Sequence, residues 1–193
     1  MVRVAEGIEQ RRFTVEEYHR MAEAGILQPD ERVELIRGVV RRMSPKNRAH
    51  VIAATKLHQQ LARALAGRAA VFKEDPLKLV RLDSEPEPDI VATSSPHIDD
   101  YGTVVSKALL VVEVAESSLR YDLNVKASLY AEAGVPEYWV LDLVDRELVV
   151  FRSAHEGVYR QRATYEASDR VAPEAWPNVV LEVEKLFPED ERS

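Results

Sequence analysis

Apolar and polar residues alternate along the first quarter of the chain with spacings typical of short helices and strands. Residues 13–25 predict a helix, because Thr14 followed by Glu17 is a capping-box pair and Gly25 is a typical helix stop. Residues 32–43 are rich in β-branched and arginine side chains, which favours two strands that meet at a central glycine, Gly38.

The middle of the chain predicts the longest helix and the most apolar strand. Leucine and other apolar residues recur at helical spacing over about residues 47–66. Strand-like runs follow at 69–74 and 77–82. Residues 108–114 form the most apolar stretch and are expected to be a central strand that is covered on both faces.

The last third predicts a helix between two strands and then an antiparallel series. Residues 122–133 have helical spacing, and residues 137–142 read as the next strand. This β-α-β order implies a right-handed parallel crossover. Further strands that close the sheet are expected at 146–151, 157–163 and 179–183. Together these elements place the chain in the α/β class.

Composition narrows the class of protein. A length of 193 residues predicts about one compact domain. The chain has 0 Cys, which excludes zinc ribbons, iron–sulfur clusters, thiol nucleophiles and disulfides, and agrees with a reducing compartment. No apolar run is long enough for a membrane span, and the first residues are too polar for a signal peptide. We therefore expect a cytoplasmic protein with no membrane segment.

Charge is distributed unevenly, although the net charge is −7. Residues 1–70 hold 13 basic and 8 acidic side chains, whereas residues 71–193 hold 13 basic and 25 acidic ones. Between Arg37 and Arg48 there are five basic residues and no acidic residue. Such a run is either a solvated face or a local patch that faces an anion, so the acidic total does not exclude a nucleic-acid partner.

Two carboxylates stand out because they lie in or beside apolar strands. Glu113 interrupts the run 109–114, where an unpaired carboxylate would be costly, so it is either a structural ion pair or part of a functional site. Its place near the carboxyl end of a central strand favours function. Asp89 follows Pro88 and opens another apolar strand; taken alone it would be a turn aspartate.

Lys126 is the third candidate. It shares a predicted helix face with Leu123, Leu129 and Tyr130, and that face must pack on the sheet. The lysine either snorkels or pairs with Asp122, or it reaches back over the strand end towards the carboxylates. Two carboxylates from neighbouring strands and a nearby ammonium suit Mg²⁺-assisted phosphodiester hydrolysis.

These residues match a known pattern. The Pro88-Asp89 pair, Glu113-Val-Ala115 and a following helix with a lysine resemble the PD-(D/E)XK nuclease superfamily. More narrowly, the chain resembles the Uma-type family of restriction endonuclease-like proteins from about Phe13 to the C-terminal strands. The motifs are Val33-Glu-Leu-Ile-Arg-Gly38, Met43-Ser-Pro45, His50, Glu85-Pro-Glu-Pro-Asp89, Val112-Glu-Val-Ala-Glu-Ser-Ser118 and Tyr130-Ala-Glu-Ala-Gly-Val-Pro-Glu-Tyr-Trp-Val-Leu-Asp142.

The resemblance implies a restriction endonuclease-like α/β fold, in which a mixed β-sheet is flanked by helices. It implies a single domain with an N-terminal helix and hairpin at 13–43, a nuclease core at 44–142 and C-terminal strands at 143–193. By the same resemblance Asp89, Glu113 and the Val114 carbonyl would bind Mg²⁺ or Mn²⁺.

Other roles also follow from the resemblance. The usual lysine two residues after the glutamate is Ala115 here, so Lys126 would take its role. Glu34 is expected as an extra acid, or alternatively as a surface strand residue. His50 is expected as a phosphate contact or proton carrier, or alternatively as an ordinary residue of a helix start.

The leading functional hypothesis is a Mg²⁺-dependent endonuclease that cleaves DNA and works as a homodimer. The alternative is a non-catalytic module of the same fold that binds nucleic acid or a protein partner.

Overall fold

The structure is a computed structural model that describes residues 10–97 and 108–189. The described residues fall into two compact units. The first unit contains residues 10–43 and 78–86, and the second contains residues 44–77, 87–97 and 108–189.

The first unit begins with helix α1, Val15–Glu23, as the capping pattern predicts. The Thr14 hydroxyl accepts a hydrogen bond from the Glu17 N–H at 3.2 Å, and the Glu17 carboxylate accepts one from the Thr14 N–H at 3.1 Å. These reciprocal bonds satisfy two donors that a helix start leaves open, so the predicted capping box is confirmed.

A hairpin follows, in which β1, Val33–Ile36, pairs antiparallel with β2, Val39–Arg42. The strands meet at Gly38, as predicted, and this residue has a φ of 74°. A side chain there would meet the Cβ atom of Arg12 at 2.5 Å. The turn therefore requires glycine for both its backbone conformation and its space.

The strand predicted at 77–82 is wrong. Val80–Leu82 forms a turn of 3-10 helix, and the chain then reverses so that Leu79 and Ser84 form an isolated bridge. The left-handed conformation of Asp83, with a φ of 42°, makes this reversal. Apolar composition was the only strand signal in this run, and composition does not distinguish a strand from a tight turn.

The second unit is built on a six-stranded sheet with the order β3-β4-β5-β6-β7-β8. β5 and β6 are parallel, and the other neighbouring pairs are antiparallel, so the sheet is mixed. The strands are β3 Val71–Lys73, β4 Ile90–Thr93, β5 Ala108–Ala115, β6 Glu137–Asp142, β7 Glu147–His155 and β8 Val158–Tyr165. The predicted central strand and the predicted parallel pair are confirmed.

Helices cover the sheet and complete the α/β fold that the sequence predicts. The long helix α2, Arg48–Ala64, packs its buried residues into the main apolar core together with alternate residues of β5. A second helical segment connects β5 to β6. It consists of α3, Leu119–Tyr121, a π-helical turn, Asp122–Lys126, and α4, Ala127–Glu132.

The C-terminal part departs from the prediction at one strand. β10, Leu181–Glu182, pairs with β9, Arg170–Val171, in a separate two-stranded sheet instead of extending the six-stranded one. Leu181 of this strand and Val183, which begins the following turn of 3-10 helix, still join the main core. The antiparallel strand was therefore predicted correctly, whereas its pairing partner was not.

Within residues 10–97 and 108–189, no helix has both the length and the apolar character that crossing a membrane requires.

Candidate active site

The register of β4 and β5 brings two predicted carboxylates together. Ile90 is paired with Val112 in this antiparallel ladder, so Asp89 lies beside Glu113 on the adjacent strand. Residues at opposed positions of neighbouring strands present their side chains on the same face. The Val114 N–H donates to Asp89 Oδ2 at 2.8 Å, which ties the loop before β4 to the end of β5.

Asp89 is buried and has basic neighbours. Its Oδ1 atom lies 2.9 Å from His50 Nε2 and 3.0 Å from Lys46 Nζ. Burial acts to raise the pKa of Asp89, but His50, Lys46 and the Val114 N–H together hold that pKa below its ordinary value. Asp89 is therefore held as a carboxylate.

The start of helix α2 positions both basic residues. Asn47 is the N-cap, and its side-chain oxygen accepts from the His50 N–H at 2.9 Å, which fixes His50 in the first turn. Lys46 immediately precedes this cap and also pairs with Glu74 at 3.2 Å. Glu74 follows β3, and its N–H donates to the Asp89 carbonyl at 3.1 Å. The helix start therefore places one histidine and one lysine against Asp89, just before β4.

Glu113, the second member of this carboxylate pair, is also buried. Its Oε1 atom accepts from Lys126 Nζ and from the Tyr130 hydroxyl, each at 2.8 Å. Burial raises the pKa of Glu113 to about 8; Lys126 opposes this shift, whereas the nearby acids Asp122 and Asp89 add to it. Glu113 therefore binds a proton more readily than an exposed glutamate does.

The π-helical turn places Lys126. The helical segment begins at Leu119, earlier than the predicted start at 122, and the wider turn puts both Asp122 and Lys126 on the buried face, while Leu123 is only partly buried. π-Helical turns of this kind occur frequently at functional sites. The contact expected between Lys126 and Glu113 is confirmed, although the helix reaches it with a different phase from the one predicted.

The two carboxylates are suitable donors for a hard divalent cation, and cationic groups already lie on them. Lys46 and His50 occupy Asp89 Oδ1, and Lys126 occupies Glu113 Oε1. The donor chemistry fits Mg²⁺ or Mn²⁺, which bind carboxylate and carbonyl oxygens. In the described parts of the chain, no group of three or more His, Asp or Glu side chains is arranged to hold a metal ion. An ion at this place would therefore need a backbone ligand as well.

The Val114 carbonyl is oriented to provide that ligand. The N–H and C=O groups of one residue leave an extended strand on the same side. Because the Val114 N–H points to Asp89, the Val114 carbonyl also faces the β4 side of β5. This orientation agrees with the role that the family resemblance implies.

Glu34 lies in β1 of the first unit and is 5% exposed, so the alternative of a surface strand residue is wrong. Its role as an additional acid of the site stays a prediction.

Sequence reasoning missed one close neighbour of the carboxylates and underestimated another. Lys46 was noted only as part of the basic run, although its position directly before a helix cap that carries His50 was a usable signal. Tyr130 was placed on the correct helix face, but its hydrogen bond to Glu113 was not foreseen. Its hydroxyl and the Lys126 ammonium together anchor one oxygen of that carboxylate.

Comparisons with known proteins support the fold and the family resemblance. A family model described as "Uma2: Putative restriction endonuclease" matches residues 15–184. The structure is similar to the crystal structure of "a putative nuclease belonging to DUF820" from Anabaena variabilis, with a TM-score of 0.70 and 14% identity over 91% of this chain and 97% of that one. This likeness shows the fold.

A weaker likeness is to the type IIG restriction endonuclease BpuSI, with a TM-score of 0.42 and 19% identity over 71% of this chain and 15% of that one. The search of curated proteins found no match.

Proposed function

Because the chain belongs to the Uma2 family, we propose that it is a nuclease that hydrolyses DNA phosphodiester bonds with Mg²⁺ or Mn²⁺. The observation that carries the proposal is the placement of Asp89 and Glu113 side by side on adjacent strands, buried and each in contact with a lysine. Buried carboxylates that repel each other are unfavourable in a purely structural role, whereas a cation-binding site requires them.

Asp89, Glu113 and the Val114 carbonyl would hold the ion. Such an ion supplies polarisation of a phosphate and a lower pKa for a bound water. Lys126 keeps one Glu113 oxygen fixed through its 2.8 Å contact, and its ammonium would offset the charge that develops on the phosphate or orient the attacking water. It would take the role of the lysine that Ala115 replaces.

His50 is the candidate for proton transfer. Its Nε2 atom is held on Asp89 at 2.9 Å, and its ring is partly exposed, so it has access to both the acid and a substrate. A histidine in this position would accept a proton from water or donate one to the leaving oxygen. Glu34 would add a further acid.

The direct test is DNA cleavage. Purified protein should nick or linearise plasmid DNA, and degrade linear DNA, when Mg²⁺ or Mn²⁺ is present, and EDTA should abolish the activity. Asp89→Ala should lose cleavage by about 1,000-fold or more, whereas Asp145→Asn, which removes an exposed carboxylate on the turn after β6, should cleave as the wild type does. Equal cleavage by Asp89→Ala and the wild type would refute the proposal.

A second candidate function is a non-catalytic module that binds nucleic acid or protein. Two observations favour it: Ala115 replaces the usual lysine, and Lys46 and His50 already occupy Asp89 Oδ1. Calorimetric titration with Mn²⁺ separates the two functions. A nuclease should show a binding isotherm that Asp89→Asn and Glu113→Gln abolish, and a non-catalytic module should show none.

We also propose that the active form is a homodimer, since one site must reach each strand of a duplex for a double-strand cut. Light scattering coupled to gel filtration should give twice the chain mass. A monomeric mass would contradict the proposal.

A further inference from the structure

A groove of about 670 Å³ opens in the second unit beside helix α2. Its lining includes Asn47, Arg48, Ile52 and Lys56 of the helix start and first turns, and Arg146 and Phe187 from later in the chain. Leu143, which also lines the groove, comes directly after β6, and its N–H donates to the carbonyl of Ala115, the last residue of β5, at 2.9 Å. The groove therefore lies at the carboxyl ends of the two parallel strands, where open α/β sheets bind ligands.

The groove lies close to the candidate active site. Asn47 lines it, and the Asn47 side-chain amide donates to the carboxylate of Glu116, three residues after Glu113. The same helix turn carries His50, which contacts Asp89. A strand seated in the groove would therefore pass near the ends of β5 and β6 that carry or follow the carboxylates.

The charge of the groove favours an anion. Arg48, Lys56 and Arg146 line it, against one acid, Glu189. The Arg146 guanidinium lies 4.9 Å from the centre of the Phe187 ring, a cation–π contact that holds it at the wall. Lys56 Nζ donates to the Phe187 carbonyl at 3.0 Å and pairs with Glu189 at 3.5 Å. The Arg146 guanidinium also donates to the Pro188 carbonyl at 3.5 Å. Because a planar guanidinium presents several donors that match phosphate oxygens, we assign the phosphate contacts to Arg48 and Arg146.

The rest of the lining is apolar, and this limits what the anion is. Ala49, Ile52, Leu143 and Pro188 contribute carbon surface beside the cations. A surface for the duplex backbone needs mainly phosphate contacts, whereas a binding site for a single strand combines cations with surface for sugars and bases. The volume is also that of a small-molecule pocket, which suits nucleotides of one strand rather than a double helix.

We propose that this groove binds a single nucleic-acid strand next to the bond to be cleaved, with Arg48 and Arg146 on its phosphates. The inference rests on the proposed function, because the neighbouring carboxylates define the bond that is cut. It assigns the chain a substrate in which the strand to be cut is unpaired at the groove, as in an overhang, a frayed end or a transiently opened stretch of a plasmid duplex.

Binding measured without cleavage tests this proposal. In EDTA, the fluorescence anisotropy of a labelled 12-nucleotide single strand should rise at lower protein concentration than that of the matching blunt duplex. Arg48→Gln and Arg146→Gln should each raise the Kd for the single strand about five- to tenfold. Each should also reduce the slope of log K against log salt concentration by about 0.7.

Arg160→Gln is the matched control, because it removes an exposed arginine from β8, away from the groove lining. It should change the Kd less than twofold. Arg146 also packs on Phe187, so thermal melting must show that its variant is folded; Arg48 is exposed at the helix start and provides the independent variant.

Two outcomes would overturn the inference: duplex bound as tightly as the single strand, or Arg48→Gln and Arg160→Gln indistinguishable in binding. Because EDTA prevents metal-dependent cleavage, this result is independent of the nuclease proposal. Loss of Mg²⁺-dependent cleavage in Asp89→Asn together with unaltered strand binding in Arg48→Gln would refute the groove alone.

Discussion

Two buried glutamates on the parallel strands β5 and β6 differ in their surroundings. Glu137 is the first residue of β6 and lies opposite Leu110, whereas Glu113 lies three residues farther along β5, about 10 Å towards the carboxyl ends of the strands. Glu137 accepts from Arg152 and Trp139 on Oε1 and from the Glu174 N–H on Oε2. Glu113 has both Lys126 and Tyr130 on the same oxygen and two acids nearby.

The difference distinguishes a structural ion pair from a carboxylate that we propose as a metal ligand. Donors reach both oxygens of Glu137, and they tie β6 to β7 and to the segment at Glu174, so this carboxylate holds elements together. The neighbours of Glu113 include Asp89 and Asp122, whose negative charges oppose its ionisation. Burial is thus shared by the two residues, whereas their hydrogen-bond partners and neighbouring charges differ.

Glu113→Gln should lose activity and Glu137→Gln should lose stability. Glu113→Gln should reduce DNA cleavage by about 1,000-fold or more per folded molecule, because it removes a ligand of the proposed metal site. Glu137→Gln should cleave normally per folded molecule but lose about 2 kcal/mol of unfolding free energy, because it weakens charge-assisted hydrogen bonds. Urea unfolding and cleavage rates at a fixed folded concentration measure both effects.

If the two variants lost activity equally while both stayed folded, the comparison would fail. Thermal melting of each variant, recorded before the cleavage assay, provides the control for folding.

The two glutamates also show how far the sequence could be read. Glu113 was identified because it interrupts an apolar strand, and strand periodicity predicted which neighbours share its face. Glu137 begins a strand beside aromatic residues, and nothing local distinguishes its ion pair, because Arg152 is brought to it by the β6–β7 register. The local sequence pattern therefore predicted the strands and singled out Glu113, whereas contacts between residues distant in sequence could be identified only from the structure.

The same limit explains the other misses. Lys46 contacts Asp89, which lies 43 positions later in the sequence. β10 pairs with β9 and not with a strand of the six-stranded sheet. The phase of Lys126 depends on a π-helical turn, which regular helical periodicity does not represent. Family resemblance supplied the candidates that local pattern does not mark, namely Glu34, His50 and the Val114 carbonyl.

Lys126→Met tests the comparison of the two glutamates by removing the cation that contacts Glu113. It should lower the cleavage rate about 100-fold, a typical loss for a group that assists proton transfer or charge stabilisation, and it should leave Mn²⁺ binding measurable by calorimetry. Arg152→Met is the matched change at the structural pair and should lower the melting temperature without a loss of rate per folded molecule. A Lys126→Met protein with the wild-type rate would remove this lysine from the site.

Lys46→Gln should have a smaller effect than Lys126→Met, and it should strengthen metal binding instead of impairing the site. Its ammonium lies 3.0 Å from Asp89 Oδ1, where it competes with a divalent ion for the carboxylate. Removing it should tighten Mn²⁺ binding about three- to tenfold in a calorimetric titration. Lys73→Gln, which removes a lysine paired with Glu74 at 3.3 Å, is the control and should change the affinity less than twofold. Weaker Mn²⁺ binding by Lys46→Gln than by the wild type would contradict this competition.

The smallest expected effect is on the pH dependence of folding stability in the absence of metal. The pKa of Glu113 is raised from 4.5 to about 8 by burial, so the folded state binds a proton more tightly than the unfolded state does. The stability from this proton is complete below about pH 4.5 and is lost as pH rises to about 8.

In EDTA, the melting temperature of the wild type should therefore fall by a few degrees more between pH 5 and pH 8 than that of Glu113→Gln. Glu137→Gln should retain the wild-type slope, because it keeps Glu113 and its neighbours. Asp89 acts outside this window: its pKa is lowered by His50 and Lys46 against the effect of burial, so its contribution is lost only as the pH falls below its ordinary range. Parallel melting curves for Glu113→Gln and the wild type across this range would show that the pKa of Glu113 is not raised in the folded protein.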